Sequence, residues 1–230
     1  MLSDLSALHE RLFHVRAIFF DWDGVLADTG EDNYLAWAKS FEKYGIALDR
    51  ETYFLLEGRK ISEIAGIILE RNGQDISFAE SIALDKDRYY LENSRADLFP
   101  GVAQMLEVLK SRGFMLGLVS GAASRRLYRP PAQQIRKLFD VVVSGDDCSN
   151  GKPAPDPYLS AAQRVGAVPA DCLVVENAPL GIRAAASAGM LCIAVASSLS
   201  PEALRQADWI IESTGQLLEL LPVRSKAETT

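Results

Sequence analysis

Apolar positions along the chain change their period twice. From Val15 to Phe20 every residue except Arg16 is apolar, and the run is short and rich in aromatic and branched side chains. That pattern predicts a strand buried on both faces. Before it, Leu5, Leu8 and Leu12 share one side of an amphipathic helix predicted over Ser3–His14. After Thr29 the spacing becomes helical. Tyr34, Trp37, Ala38, Phe41 and Tyr44 recur on one face until Gly45 ends the helix. Asp49 is placed to cap a short helix through Leu56, and Gly58 interrupts the pattern. A helix over Ser62–Arg71 carries Ile64, Ile67, Ile68 and Leu69 and stops at Asn72-Gly73; a last one runs from about Phe78 to Asn93. No strand pattern occurs in this block.

From Phe99-Pro100-Gly101 strands and helices alternate. Strands are predicted over Phe114–Val119, Val141–Val143, Leu173–Val175 and Leu191–Val195, with a short edge strand over Trp209–Ile211. Helices are predicted over Val102–Arg112, Ser124–Leu138 with a break at Pro130-Pro131, Pro157–Val165, Leu180–Ala188 and Pro201–Gln206, with a closing helix reaching Leu221 and a polar tail from Arg224. Repeated strand-helix units imply an α/β fold, a doubly wound parallel sheet with helices on both faces and right-handed crossovers. The helical block reads as an insertion. The expected division is a core of residues 1–28 and 97–230 and a small helical cap of residues 29–96.

Composition narrows the function more than the fold. The chain has 230 residues, 48% hydrophobic and 24% charged, as expected of a soluble globular protein with a large core. A net charge of -7 without a basic cluster argues against a nucleic-acid partner. No apolar run is long enough to span a membrane, and Asp4, Glu10 and Arg11 break up any signal-peptide core, so a cytoplasmic location is expected. Of three cysteines, Cys172 and Cys192 lie in apolar runs as expected buried thiols, and Cys148 lies in a polar loop without metal or redox spacing. The two histidines, His9 and His14, precede the first strand and are not placed as catalytic bases.

The chemistry is concentrated at strand ends. Asp21 and Asp23 close the first strand, where an open parallel sheet binds its ligands, and Gly24 lets the chain turn. Two carboxylates this close need a proton or a cation between them, and Mg2+ favours such oxygen ligands. One carboxylate can attack phosphorus and the other can protonate a leaving group. On spacing alone, the pair also fits a turn or a helix cap. Ser120-Gly121 follows the next strand, where a hydroxyl and backbone N–H groups can hold phosphate oxygens or merely cap a helix. Lys152, flanked by proline in Gly151-Lys152-Pro153-Ala154-Pro155-Asp156-Pro157, sits in a rigid non-helical loop that suits an anion partner. Glu176-Asn177 ends a third strand.

The string Asp21-Trp22-Asp23-Gly24-Val25-Leu26-Ala27-Asp28-Thr29 resembles the first motif of the haloacid dehalogenase superfamily. Ser120, the Lys152 loop and Val174-Val175-Glu176-Asn177 resemble the other three, in order. Within it the chain is most similar to the beta-phosphoglucomutase and phosphatase branch. The resemblance implies a Mg2+-dependent enzyme with Asp21 as nucleophile and Asp23 as acid and base. Ser120, Gly121 and Lys152 would hold the phosphoryl group, and Asp21, Asp23, Glu176 and Asn177 the metal. The family often has Glu-Asp where this chain has Glu-Asn, one negative charge fewer. Dehalogenases of this superfamily lack an aspartate at the position of Asp23, which argues against a carbon–halogen substrate. The mutase has a histidine where Asn33 stands, which favours a phosphatase, with the mutase as alternative and a catalytically weak regulatory member as a second one. The turn Glu57-Gly58-Arg59-Lys60 is the candidate specificity loop of the cap, with Gly58, Arg59 and Lys60 as candidate substrate residues, and it fits a solvated charged turn between helices equally well. The expected partner is a small phosphorylated metabolite, with no nucleic acid or membrane, for a monomer or weak homodimer.

Overall fold

The computed structural model describes residues 5–223, so the predicted helix start at Ser3 and the tail from Arg224 lie outside it. Helix α1 (Leu5–His14) buries Leu8 and Leu12 and leaves Leu5 exposed. Strand β1 (Ala17–Phe20) is buried at all four positions. Its side chains alternate. Ile18 and Phe20 enter one hydrophobic cluster with Leu8, Leu12 and Leu106, while Ala17 and Phe19 enter another with Tyr158, Ala161 and Ile182. One strand thus anchors two helical layers, as the run without polar interruption requires.

The sheet has six parallel strands in the order β3-β2-β1-β4-β5-β6: β2 (Met115–Val119), β3 (Val141–Val143), β4 (Cys172–Glu176), β5 (Leu191–Val195) and β6 (Trp209–Ile211), the last on the edge as expected. Phe20 pairs with Leu118 on one side and Val175 on the other, and the Asp21 N–H extends the second ladder to the Val175 carbonyl at 3.0 Å. The chain winds outward from β1 in both directions. The crevice at the carboxyl end of β1 is therefore a topological switch point, where such sheets bind ligands. Helices α6 (Val102–Ser111), α9 (Asp156–Val165) and α10 (Pro179–Ser187) flank the sheet, and α11 (Leu217–Leu220) closes it.

The residues between Thr29 and Asn93 form helices α2 (Gly30–Glu42), α3 (Arg50–Leu56), α4 (Ile61–Arg71) and α5 (Ala79–Asn93) around their own cluster of Trp37, Phe41, Phe54, Ile64, Ile68 and Ile82. Asp49 caps α3, accepting from the Thr52 N–H at 2.8 Å. The two chain crossings into this insert run side by side: the Asp28 N–H donates to Asp97 O at 2.9 Å, and Ala27 bridges Leu98.

The helix predicted over Ser124–Leu138 breaks at Pro130-Pro131 as expected, leaving α7 (Ser124–Leu127) and α8 (Ala132–Ile135) on either side. One expectation is corrected. Pro201–Gln206 forms successive turns, with bonds from Leu204 N to Pro201 O and from Ala207 N to Leu204 O, rather than a helix. Cys172 and Cys192 are buried free thiols. Among the described residues no helix is long and apolar enough to cross a membrane.

Candidate active site

Asp21 leaves the end of β1 buried, and Lys152 reaches it from the loop before α9. The Lys152 ammonium uses its three donors on Asp21 Oδ1 at 2.6 Å, Glu176 Oε1 at 2.6 Å and the Val119 carbonyl at 3.2 Å. It is 1% exposed, and although burial opposes its charge, the attraction of Asp21 and Glu176 holds its pKa above the ordinary lysine range. Asp21 moves the other way. Burial outweighs the pull of Lys152, and with Glu176 and Asp23 nearby its pKa rises to about 7. A cation beside it would return it to the ionised form that attacks phosphorus.

Asp23 has a different environment. Its Oδ1 accepts from Thr29 Oγ1 at 2.6 Å, Asn33 Nδ2 at 2.8 Å and an Arg126 guanidinium nitrogen at 3.1 Å. Burial acts to raise its pKa, but Arg126, Thr29, Lys86 and Asn33 together hold it below the ordinary carboxylate value. The two carboxylates are thus driven apart in proton affinity, a recurrent mark of paired roles in catalysis. Asn33 relays this network into the insert, since its Oδ1 accepts from the Lys86 ammonium at 2.6 Å. Lys86 is buried, lies 5.0 Å above the Tyr90 ring, and has its pKa lowered to about 7, mainly by burial and by Arg126.

Glu176 is brought to the site, with its oxygens engaged by the protein. Oε1 accepts from Lys152 and from Tyr158 Oη at 2.8 Å; Oε2 accepts from the backbone N–H groups of Asn177 at 2.9 Å and Ala178 at 3.2 Å. A Cβ on Gly181 would lie 1.8 Å from Glu176 Oε1, so the glycine is there to admit the carboxylate. This geometry anchors Lys152. Asn177 is the more open of the two: its Oδ1 is buried and accepts no hydrogen bond among the described residues. An unmatched buried acceptor costs about 1–3 kcal/mol, which a cation would offset. Gly24, at φ +75°, clears the space for this amide, because a Cβ there would stand 2.2 Å from Asn177 Nδ2. Among the described residues no trio of acidic, histidine or cysteine side chains is gathered at metal-binding spacing. The oxygen donors are mixed, the Asp21 carboxylate and the Asn177 amide, and that chemistry suits a hard divalent cation.

Ser120 closes β2, with its Oγ accepting from the Ala122 N–H at 3.1 Å, and the backbone turn beyond it, Gly121 and Ala122, lines the cavity. That cavity also receives Asp21, Asp23, Gly58, Arg59, Lys86 and Arg126. Its volume is about 30 Å3. With the insert in this position the cavity admits a water or two but no sugar phosphate. Arg59 enters the cavity with a buried Nε that has no partner among the described residues. Lys60 does not enter it: its ammonium bonds the carbonyls of Cys148 at 2.6 Å and Ser149 at 2.8 Å, tying the insert to the loop that carries Lys152.

Sequence reasoning passed over Arg126 and Lys86 as functional residues, and placed Glu57 only within the cap's specificity loop. Arg126 follows another arginine on a four-residue helix, and Lys86 lies in the charged run Asp85-Lys86-Asp87-Arg88, which reads as a solvated face. Only the surroundings of each, which come from distant parts of the chain, show that it is buried.

A profile of haloacid dehalogenase-like hydrolases matches residues 15–189. The chain is 32% identical over 221 residues to beta-phosphoglucomutase of Bacillus subtilis, covering 90% of this chain and 94% of that protein. It is 33% identical over 182 residues to a phosphorylated carbohydrates phosphatase of Thermotoga maritima, covering 76% and 82%. The crystal structure of beta-phosphoglucomutase from Clostridium difficile superposes with a TM-score of 0.77 at 32% identity, over 88% of this chain and 93% of that one. The chain belongs to the haloacid dehalogenase-like hydrolase family. It is an enzyme of that family's phosphatase and phosphomutase-like kind.

Proposed function

We propose that the chain hydrolyses the phosphomonoester of a small, sugar-like metabolite through a phosphoaspartate at Asp21, with Mg2+ as cofactor. The observation that carries this reading is the Asp21–Lys152–Glu176 array at the end of β1, with the separately held Asp23 two residues on. The names of the relatives, a carbohydrate phosphatase and a sugar phosphomutase, support the substrate class.

The Asp21 carboxylate, the Asp23 backbone carbonyl and Asn177 Oδ1 would hold the cation, with Glu176 behind them fixing Lys152. The bound cation would supply positive charge to the phosphoryl oxygens and keep Asp21 ionised. Asp21 attacks phosphorus as the bond to the substrate oxygen breaks, and the Asp23 carboxyl gives that oxygen its proton. Asp23 then takes a proton from a water, whose oxygen attacks phosphorus and releases Asp21 and inorganic phosphate. Lys152, the Gly121 N–H and Ser120 stabilise the non-bridging oxygens. Two of the donors that pin Asp23, Thr29 and Asn33, lead into or lie in the insert, so seating of the insert and placement of the acid are linked. Arg59 is the cap residue proposed to meet the organic part of the substrate.

The mutase reading keeps support from the relative that covers 90% of this chain. Against it, Asn33 joins Asp23 to Lys86 through an amide that cannot relay a proton. A phosphate-release screen over phosphorylated sugars and polyols, with Mg2+ and with EDTA, tests the proposal. Cation-dependent release lost in Asp21→Asn is expected. Isomerised sugar phosphate without free phosphate would favour the mutase, and turnover indifferent to EDTA would overturn the cofactor.

A further inference from the structure

Glu57, just past the end of α3, is a carboxylate of the insert buried among carboxylates of the core. It is 5% exposed. Its Oε1 accepts from Tyr53 Oη at 3.3 Å and its Oε2 from Asn177 Nδ2 at 3.2 Å. Among the described residues none of the cations around it is bonded to it: Lys152 is held by Asp21 and Glu176, Arg126 by Asp23, Lys86 by the Asn33 amide, and Arg59 reaches Glu63. A buried carboxylate with a phenol and an amide as its donors is costly unless positive charge is brought to it.

The amide carries the same message. Beside a carboxylate a carboxamide must present its NH2, so Glu57 dictates which end of Asn177 is which. The end left over is Oδ1, the buried acceptor without a donor among the described residues. The segment that carries Glu57 is seated deep in the core. A Cβ on Gly121 would lie 2.9 Å from Gly58 O, and one on Gly58 would lie 3.4 Å from Lys152 Cδ.

We propose that Glu57 is a positioning residue of the cation site: it orients the Asn177 oxygen toward the ion and supplies, from the insert, the negative charge that an amide at position 177 lacks. Cation binding and seating of the insert are then one coupled event. This rests on the reading that a divalent cation sits between Asp21 and Asn177.

The test is the Mg2+ dissociation constant, measured calorimetrically on the full chain for wild type, Glu57→Gln, Glu57→Asp, Asn177→Asp and the Glu57→Gln/Asn177→Asp double variant. Circular dichroism verifies folding in each. Glu57→Gln should weaken binding at least tenfold, Glu57→Asp less than threefold, and Glu57→Gln in the Asn177→Asp background less than threefold, because the charge has been restored. Mg2+ should also protect the Asp28 and Asp97 crossings from proteolysis in wild type and not in Glu57→Gln. Wild-type affinity in Glu57→Gln, or equal losses in the Gln and Asp variants, would overturn the inference. Absence of Mg2+ binding to the wild type would instead overturn the reading beneath it. If Glu57→Gln does not fold, the Asp variant decides, since a tenfold loss with the charge kept contradicts the proposal.

Discussion

Replacing Asp21 with Asn should make the metal-free protein more stable while ending turnover. Burial, opposed by Lys152 and assisted by Glu176 and Asp23, raises the Asp21 pKa from 3.8 to about 7. Between those values the folded chain holds a proton that the unfolded chain has released. Stability therefore falls as pH rises through that window and is level above it. At about 1.4 kcal/mol per pH unit, the loss is about 2 kcal/mol by pH 5.5 and about 4 kcal/mol by pH 7.5. The Asp21→Asn side chain has the shape of the neutral acid and does not titrate, so it escapes this loss. Lys152 stays protonated in both proteins over this range and adds no slope. Urea unfolding in EDTA at pH 5.5 and 7.5 measures the difference. It should favour Asp21→Asn and grow by about 2 kcal/mol between the two. At roughly 2–4 °C per kcal/mol for a chain of this size, Tm should rise by about 8–16 °C at pH 7.5. A difference independent of pH, or an Asn variant less stable at pH 7.5, would refute the reasoning.

Three further outcomes are expected. Lys152→Met leaves two buried carboxylates without their shared cation and should cost about 3–5 kcal/mol at pH 8; the loss in urea unfolding should be smaller at pH 6, where Asp21 already holds a proton. Arg126→Ala removes the charge that lowers the Asp23 proton affinity, so the alkaline limb of the kcat/KM profile, set by Asp23 as the proton donor to the leaving oxygen, should move to higher pH, and an unmoved limb would exclude Asp23 as that acid. Gly181→Ala places a methyl group against the Glu176 carboxylate and should destabilise the fold by about 1–3 kcal/mol, with a larger fall in activity than in secondary structure by circular dichroism.

Much of this molecule could be read along the chain, and the reason is local. Strand β1 has no polar interruption after Arg16, and the turn after it needs a glycine at positive φ, so Ala17 to Gly24 identifies a buried strand ending in two acids. Helix spacing and the Asp49 cap reveal α2 to α5, because one face of each must be apolar wherever it packs. The turns at Pro201–Gln206 were misjudged because a short polar run that includes an alanine and a leucine fits a helix and a series of turns equally well.

What only the tertiary structure decided is which charges are buried and against what. Lys60 and Arg59 are sequence neighbours, yet one binds core carbonyls and the other faces the cavity. Glu176 and Asn177 adjoin at the end of β4, yet the first is filled by Lys152, Tyr158 and two backbone N–H groups while the second keeps a buried oxygen without a donor. Arg126, Lys86 and Glu57 look like surface residues in one dimension, because a charged side chain has no periodicity that betrays its partner. Their roles arise when segments far apart in the chain are packed from two sides onto one strand end. There water is excluded, and each remaining charge must find another.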